Sequence, residues 1–194
     1  MTYRHVALLG KARAGKDAIG ARLAQRYAFV RVAFADPLRE LALDLDPIVA
    51  TEPTDYGPMP LRLSDLVAGH GWDVAKGAYP EVRRCLQRLG TAVRMHDPDY
   101  WLRIALERVT VAERWSIPVV ITDVRHANEL QTLRERGALV VRVVRPGVDG
   151  LAGPEAEHIT ETALDQVEAD VTVINSGSLA DLHQRVDTLA VWQD

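Results

Sequence analysis

Residues 6–17 of the 194-residue chain read VALLGKARAGKD. The first four residues are apolar without interruption, which is typical of a strand buried inside a parallel sheet. Gly10 to Lys16 then fit the pattern G-x-x-x-x-G-K, and apolar residues at helical spacing follow as far as about residue 27. In a strand–loop–helix unit of this kind, glycines let backbone N–H groups turn toward phosphate oxygens, and the helix N-terminus adds positive potential. The stretch therefore predicts a phosphate-binding loop.

Chance is a weak explanation for this motif. With 13 Gly and 3 Lys in the chain, the pattern should arise by chance about 0.01 times in a sequence of this length. We expect Lys16 to contact the β- and γ-phosphates of ATP as a compact positive charge. The predicted ATP-binding residues of this stretch are Gly10, Lys11, Ala12, Arg13, Ala14, Gly15, Lys16, Asp17 and Ala18.

Asp17 departs from the usual form of the motif, in which Ser or Thr follows the lysine. A carboxylate is a hard oxygen ligand that suits Mg²⁺, so we expect Asp17 to have a metal role, direct or through water. The alternative is that Asp17 only caps the following helix, because acidic residues are favoured in a first helical turn.

The composition bounds the class of protein. Lys and Arg number 23 against 27 Asp and Glu, for a net charge of -4, which argues against a nucleic-acid partner. Cys85 is the one cysteine, so an intrachain disulfide and a cysteine zinc site are excluded. No apolar run approaches the roughly 18 residues of a membrane span, and the run near Met1 is too short for a signal-peptide core. We expect a soluble, cytoplasmic protein with one domain spanning residues 1–194.

Predicted strands and helices alternate along the chain. The predicted strands are 6–9, 29–34, 119–122, 138–144 and 171–174, and the predicted helices are 15–27, one from Asp36, 81–95, 97–115, 128–136, 159–168 and 178–191. Residues 46–80 are rich in Pro and Gly, and we predict irregular structure there with a short helix after Ser64. Alternating elements imply a parallel sheet with helices on both faces, and such sheets bind ligands at the carboxyl ends of their strands.

The residues after the predicted strand at 119–122 favour group transfer over hydrolysis. Asp123 is followed by Val124 and Arg125, so the Glu that often polarises water at this position is missing. The guanine-reading pattern N-K-x-D of GTPases is also absent from the sequence.

The predicted helix at 81–95 carries a polar strip beside its apolar stripe. The strip consists of Arg83, Gln87, Gly90 and Arg94. Such a strip is compatible with a solvated face, but in a chain with a phosphate loop the arginines suit an acceptor phosphate, which guanidinium groups bind in a bidentate manner.

Seven motifs occur in order along the chain: Gly10–Asp17, Phe34–Leu38, Leu86–Thr91, Asp97–Trp101, Thr122–Glu129, His158–Glu161 and Asp170–Gly177. Together they resemble the bacteriophage-type deoxynucleoside monophosphate kinases, in the nucleoside monophosphate kinase branch of P-loop proteins. The resemblance covers nearly the whole chain and is weakest over residues 46–80. Animal phosphomevalonate kinase looks related and shares the Lys-Asp ending of the loop, so the substrate does not follow from the loop.

The resemblance implies a three-layer αβα P-loop NTPase fold with a five-stranded parallel sheet, an acceptor-binding region at about 36–100 and a lid at about 146–162. It implies Mg²⁺-dependent transfer of the ATP γ-phosphoryl group to a deoxynucleoside monophosphate. The alternatives are a kinase for another phosphorylated small molecule, such as dephospho-coenzyme A or phosphomevalonate, and a non-catalytic ATP-binding module. Neither a nucleic acid nor a membrane is an expected partner, and a homodimer is left open.

The resemblance also implies roles for individual residues. From the charge neutralisation that phosphoryl transfer requires, the expected catalytic residues are Lys16, Arg13, Asp123 and Arg125, with Asp17 and Asp123 at the metal. The expected acceptor-binding residues are Asp36, Arg39, Arg83, Gln87, Arg94, Trp101, Asp123 and Arg125. Arg145 and Glu161 would belong to the lid, and Asn175 and Gly177 to a loop around adenine. Simpler interpretations exist: Asp36 as a helix cap, Trp101 as a core residue, and Asn175–Gly177 as a plain turn.

Overall fold

Five parallel strands form the main sheet of the computed structural model, which describes residues 3–148, 164 and 167–189. In chain order, the strands are β1 (Val6–Leu9), β2 (Val30–Val32), β3 (Ile48–Thr54), β4 (Gly57–Arg62), β5 (Val119–Ile121), β6 (Leu139–Val144) and β7 (Val171–Ile174). The helices are α1 (Lys16–Tyr27), α2 (Asp36–Leu45), α3 (Leu63–Ala78), α4 (Pro80–His96), α5 (Tyr100–Arg114), α6 (Ala127–Glu135) and α7 (Leu179–Leu189).

The described residues fall into two compact units. One unit comprises the described parts of Met1–Phe34 and Ala105–Asp194, and the other is Ala35–Ile104. The first unit contains the five-stranded sheet and the loop after β1. The second contains most of the residues that the resemblance assigns to the acceptor.

The sheet has the strand order β2-β5-β1-β6-β7, with every neighbouring pair parallel. The strands are short and apolar, and β1 and β5 are buried along their whole length. Continuous burial of this kind requires cover on both faces of the sheet, which the flanking helices supply in a three-layer α/β fold. The predicted fold class and its five-stranded parallel sheet are therefore confirmed.

Helices α1 and α7 pack together over one part of this sheet. Their apolar residues, including Leu23, Leu182 and Val186, share a buried cluster with residues of β1, β5, β6 and β7. Arg22 and Asp187 join the two helices through a bidentate ion pair, with distances of 2.9 Å and 2.7 Å from Nε and Nη2 to the carboxylate oxygens. The pairing lowers the pKa of Asp187 below its ordinary value. Burial and this ion pair together attach the last described helix to the helix that follows β1.

The second unit differs most from what the sequence predicts. Residues 46–80 are not irregular: β3 and β4 form an antiparallel hairpin, and α3 spans 16 residues with a break at Gly71 (φ 76°). Three of the prolines that suggested irregular structure lie in the hairpin, where Pro53 is opposite Pro58 and Thr51 is opposite Pro60. A two-stranded ribbon has two outer edges, so it tolerates residues that have no N–H to donate.

A small core holds the second unit together. It consists of Ala42, Val49, Leu63, Leu66, Ala75 and Val82, which come from α2, β3, α3 and α4.

None of the helices in the described residues is long and apolar enough to cross a membrane. Most of the predicted helix at 159–168 and nearly all of the predicted lid lie outside the described residues.

The side chain of His5, just before β1, forms a hydrogen bond with the first residue of β5. Its Nδ1 accepts a hydrogen bond from the backbone N–H of Val119 at 3.0 Å, so this nitrogen carries no proton. Its Nε2 lies 3.4 Å from a carboxylate oxygen of Glu113, which also pairs with Arg136. Burial lowers the pKa of His5 below its ordinary value, and the Arg136 charge acts in the same direction, against the opposing effect of Glu113.

We predict a loss of stability on mild acidification because of His5. As the pH falls below about 6.5, the unfolded chain takes up a proton at His5 before the folded chain does, so unfolding becomes more favourable. Urea unfolding at pH 7 and pH 5 measures the effect. The His5→Asn variant keeps a hydrogen-bond acceptor but does not titrate, so its stability should fall less over this interval. An equal fall in both proteins would contradict the prediction.

Candidate active site

The loop between β1 and α1 has the backbone conformation that its glycines permit. Gly10, Arg13 and Gly15 all have positive φ angles, of 135°, 64° and 109°. A Cβ atom on Gly10 would lie 2.3 Å from the carbonyl oxygen of Val143, and one on Gly15 would lie 2.6 Å from Nδ2 of Asn175. Two separate constraints therefore require glycine at both positions. One is the positive φ angle, and the other is the close approach of β6 to Gly10 and of Asn175 to Gly15.

Lys16 closes the loop on itself. Its Nζ donates hydrogen bonds to the carbonyl oxygens of Gly10, at 2.5 Å, and Lys11, at 2.8 Å. The first residue of α1 thereby holds the beginning of the loop, and its positive charge lies at the N-terminus of the helix. Arg13, at the turn of the loop, has an exposed side chain. The first two predicted phosphate-binding residues, Gly10 and Lys11, are thus bonded through their carbonyl oxygens to the Lys16 ammonium.

Two predicted metal-site carboxylates lie near the carboxyl ends of neighbouring strands, one at the start of α1 and one after β5. Asp17 is in the first turn of α1, with a side chain that is 84% exposed and 3.9 Å from Nη1 of Arg31. Asp123 follows β5, the neighbour of β1, and its Oδ1 accepts a hydrogen bond from the backbone N–H of Phe34 at 2.8 Å. Mg²⁺ in phosphate-transfer sites is usually held by one or two carboxylates together with substrate phosphates. The described residues contain no group of three or more His, Cys, Asp or Glu side chains that could hold a metal ion, so an ion here would need phosphate oxygens as further ligands.

Arg125 stands in a turn that a buried glutamate organises. Oε2 of Glu129 accepts hydrogen bonds from the backbone N–H groups of Arg125, at 2.9 Å, and His126, at 3.1 Å. Glu129 is only 1% exposed. Glu129 lies in one of the sequence motifs, but no role was predicted for it. The signal was the capping-box spacing of a glutamate three residues after the N-cap of α6.

In the second unit, Asp36 and Arg39 pair with each other. Arg39 Nη1 lies 3.1 Å from Asp36 Oδ1, and its guanidinium lies 5.9 Å from the centre of the Trp72 ring. Cation–π contacts of this kind favour arginine over the face of an aromatic ring. Trp72 was not predicted as a site residue, because residues 46–80 were expected to be largely irregular.

The two arginines in the polar strip of α4 donate hydrogen bonds to backbone carbonyl oxygens. Nε of Arg83 donates to the carbonyl oxygen of Lys76 at 2.6 Å, and Nη1 of Arg94 donates to that of Pro98 at 3.2 Å. Gln87 is exposed. Gly90 is approached by Leu38 of α2, because an added Cβ would lie 3.3 Å from a Leu38 methyl carbon.

Trp101 is a buried residue of this unit and is 3% exposed. Its indole N–H donates to the carbonyl oxygen of Gly90 at 3.4 Å, and its ring packs edge-on against Tyr100. The side chain therefore supports α4 from within the unit.

The remaining predicted residues lie around β6 and β7. Arg145 follows β6 and is exposed. Asn175 follows β7 and is buried, and its Nδ2 donates to the carbonyl oxygen of Ala14 in the loop after β1 at 2.9 Å. Gly177 lies next to Asp181. The Asp181 carboxylate accepts a hydrogen bond from the backbone N–H of Ser178, just before α7. Glu161 lies outside the described residues.

Comparisons with known proteins assign the chain to a sequence family. The sequence profile of the family described as "Deoxynucleotide monophosphate kinase" matches residues 72–186, which is more than half of the chain. The chain belongs to this family. The matched segment includes α4, Asp123, Arg125, Glu129 and Asn175, but begins after the phosphate loop.

Two viral relatives show how far the similarity extends. The deoxynucleotide monophosphate kinase of Escherichia phage RB69 is 34% identical over 111 residues, which cover 56% of this chain and 44% of the relative. The chain thus matches less than half the length of that phage relative. A putative deoxynucleotide monophosphate kinase of Acanthamoeba polyphaga mimivirus is 23% identical over 194 residues, and the match covers 93% of each protein.

Among solved structures, a dephospho-CoA kinase from Campylobacter jejuni has a TM-score of 0.52 with this chain. The similarity covers 96% of this chain and 95% of that one at 13% sequence identity. At this level of identity the likeness concerns the fold alone, and it agrees with the strand–loop–helix arrangement described above.

We predict that Glu129 is needed for stability. The Glu129→Ala substitution leaves two partly buried backbone N–H groups without this acceptor, which should lower the free energy of unfolding by about 1–3 kcal/mol. Glu129→Gln keeps an acceptor oxygen and should cost less. Urea unfolding measures both, with Glu135→Ala at the exposed end of α6 as the control, for which we expect a change within about 0.5 kcal/mol. An alanine variant as stable as the control variant would refute the capping role.

Proposed function

We propose that the protein transfers the γ-phosphoryl group of ATP to a deoxynucleoside 5′-monophosphate, with ADP and a deoxynucleoside diphosphate as products. The observation that carries the proposal is the loop closed by Lys16 in a chain that belongs to the deoxynucleotide monophosphate kinase family. The loop supplies the chemistry for binding a triphosphate, and the family supplies the class of acceptor.

ATP binding would be the task of the first unit. Backbone N–H groups of the residues from Gly10 to Ala18 would face the phosphates, assisted by the positive end of the α1 dipole. The Lys16 ammonium, now bonded to two carbonyl oxygens of its own loop, would exchange part of that bonding for the β- and γ-phosphates. Gly177 and the residues beside it would lie at the adenine.

Asp17 and Asp123 would hold Mg²⁺ together with the phosphates. When bound, the ion supplies positive charge that neutralises the phosphate oxygens. The hydrogen bond from Phe34 to Asp123 keeps that carboxylate oriented at the end of β5, which is what a metal-organising residue requires.

The acceptor needs no general base. A phosphate monoester has a second pKa near 6, so at neutral pH it is mostly a dianion that can attack without losing a proton. What opposes the reaction is the repulsion between two anionic groups, so catalysis reduces to alignment and charge neutralisation. We assign this task to Lys16, Arg13 and Arg125, together with Arg83 or Arg94.

The second unit would recognise the acceptor. The bonds from Arg83 and Arg94 to backbone carbonyl oxygens fix the orientation of two guanidinium groups, and oriented guanidinium groups suit phosphate recognition. Asp36, Arg39, Gln87 and Trp101 would form or support the rest of the acceptor site, and Arg145 and Glu161 would act in a lid that excludes water.

The proposal is tested with a panel of acceptors. Purified protein with ATP and Mg²⁺ is incubated with each deoxy- and ribonucleoside monophosphate, with dephospho-coenzyme A and with phosphomevalonate, and ADP release is followed. We expect ADP release that depends on at least one deoxynucleoside monophosphate. ADP release with dephospho-coenzyme A or phosphomevalonate, and with none of the nucleoside monophosphates, would identify another small-molecule kinase. ATP binding without any acceptor-dependent ADP release would identify a binding module.

We predict that Lys16→Ala lowers kcat about 100-fold or more, because the transferring group loses the positive charge that we assign to it. Circular dichroism should show an intact fold, since Lys16 lies at the start of α1 and not in the core. The control is Arg114→Ala, which removes one positive charge at an exposed position at the end of α5 and should leave kcat unchanged. Near-normal turnover by the Lys16 variant would remove this assignment.

A further inference from the structure

The side chain of Asn175 connects the end of the sheet to the phosphate loop. Its Nδ2 donates a hydrogen bond to the carbonyl oxygen of Ala14 at 2.9 Å, across 161 residues of sequence. The assignment of the amide is unambiguous here, because a carbonyl oxygen accepts only from a donor. The backbone N–H of Asn175 donates to the carbonyl oxygen of Val144 at 2.7 Å, which holds the residue against the end of β6.

This hydrogen bond fixes the orientation of one peptide group in the loop. A trans peptide is planar, and its C=O and N–H point in opposite directions. When Asn175 holds the Ala14 oxygen on one side, the N–H of Gly15 is directed to the other side. Gly15 N–H is the last loop amide before Lys16, so its direction matters for any anion that the loop binds.

The packing around Gly15 leaves little room for another arrangement. Asn175 is 9% exposed and Ala14 is 2% exposed. A Cβ atom on Gly15 would lie 2.6 Å from the same Asn175 nitrogen, so the amide sits directly against the loop. Breaking the bond would leave a buried carbonyl oxygen without this donor, which is a costly state.

We propose that Asn175 is a positioning residue that orients the Ala14–Gly15 peptide so that the Gly15 N–H meets a phosphate oxygen of the donor nucleotide. The inference rests on the proposed function, because it assumes that the loop binds the triphosphate of ATP. It differs from the expectation that Asn175 recognises adenine: Asn175 acts on the phosphate end of the nucleotide, through the loop.

The test separates the two ends of the nucleotide. Equilibrium affinities for ATP, GTP and inorganic tripolyphosphate are measured for the wild type, Asn175→Ala and Asn175→Asp. Alanine removes the donor, and aspartate places a carboxylate oxygen against the Ala14 oxygen. We expect both variants to bind ATP and tripolyphosphate about tenfold to a hundredfold more weakly. The ratio of ATP to GTP affinity should stay unchanged, because the base is not contacted by Asn175.

Thr172→Ala is the matched control, because it changes an exposed side chain on β7, the strand that immediately precedes Asn175. It should bind all three compounds like the wild type. Loss of ATP affinity in the Asn175 variants with unchanged tripolyphosphate affinity would overturn the proposal in favour of an adenine contact. A wild type that does not bind tripolyphosphate would overturn it as well.

A measurement on the wild type covers the case in which both variants fail to fold. Tripolyphosphate is added to ¹⁵N-labelled protein, and the amide proton resonance of Gly15 should move strongly downfield as the N–H meets an anionic oxygen. An unmoved Gly15 resonance at saturation would overturn the proposal. None of these binding measurements requires turnover, so a failed acceptor panel would refute the proposed function without deciding the role of Asn175.

Discussion

The loop that Lys16 closes is the constraint on which the rest of the account depends. Its ammonium group holds the carbonyl oxygens at the start of the loop, and Asn175 holds a carbonyl oxygen near its end. Positive φ angles at Gly10 and Gly15 allow the chain to follow this path, and the nearby β6 carbonyl and Asn175 amide exclude any side chain at either position. The parallel sheet brings these groups together, because the loop and Asn175 both follow strands at its carboxyl edge.

Most of the sheet could be predicted from the sequence, and the hairpin could not. The five strands of the sheet are short apolar runs separated by helical patterns, and burial on both faces makes that signal strong. The hairpin of β3 and β4 has mostly exposed residues and contains Pro53, Pro58 and Pro60, so it has neither the apolar pattern nor the composition of a buried strand. The 16-residue α3 was underestimated for a related reason, since three glycines lie within it.

In the candidate site too, features formed by neighbouring residues could be predicted from the sequence, and contacts between residues far apart in sequence could not. The strand–loop–helix unit from β1 to α1 could be predicted because its residues are consecutive, and the requirement for glycine in the loop leaves a recognisable pattern. The capping role of Glu129 could also have been predicted, because Glu129 lies three residues after His126, which is capping-box spacing. By contrast, the contacts of Asn175 with Ala14 and of Arg39 with Trp72 join residues far apart in sequence, and only the folded chain brings them together. The predicted adenine residue Asn175 thus has a partner in the phosphate loop that no local pattern indicates.

The central claim is that this loop binds the phosphates of ATP, and a crystal structure with a non-hydrolysable ATP analogue tests it most directly. The account predicts the triphosphate within hydrogen-bond distance of the backbone N–H groups of Gly15 and Lys16, with the Lys16 ammonium on the β- and γ-phosphates. A fully bound analogue whose phosphates lie elsewhere, with the loop amides still facing away from them, would contradict it.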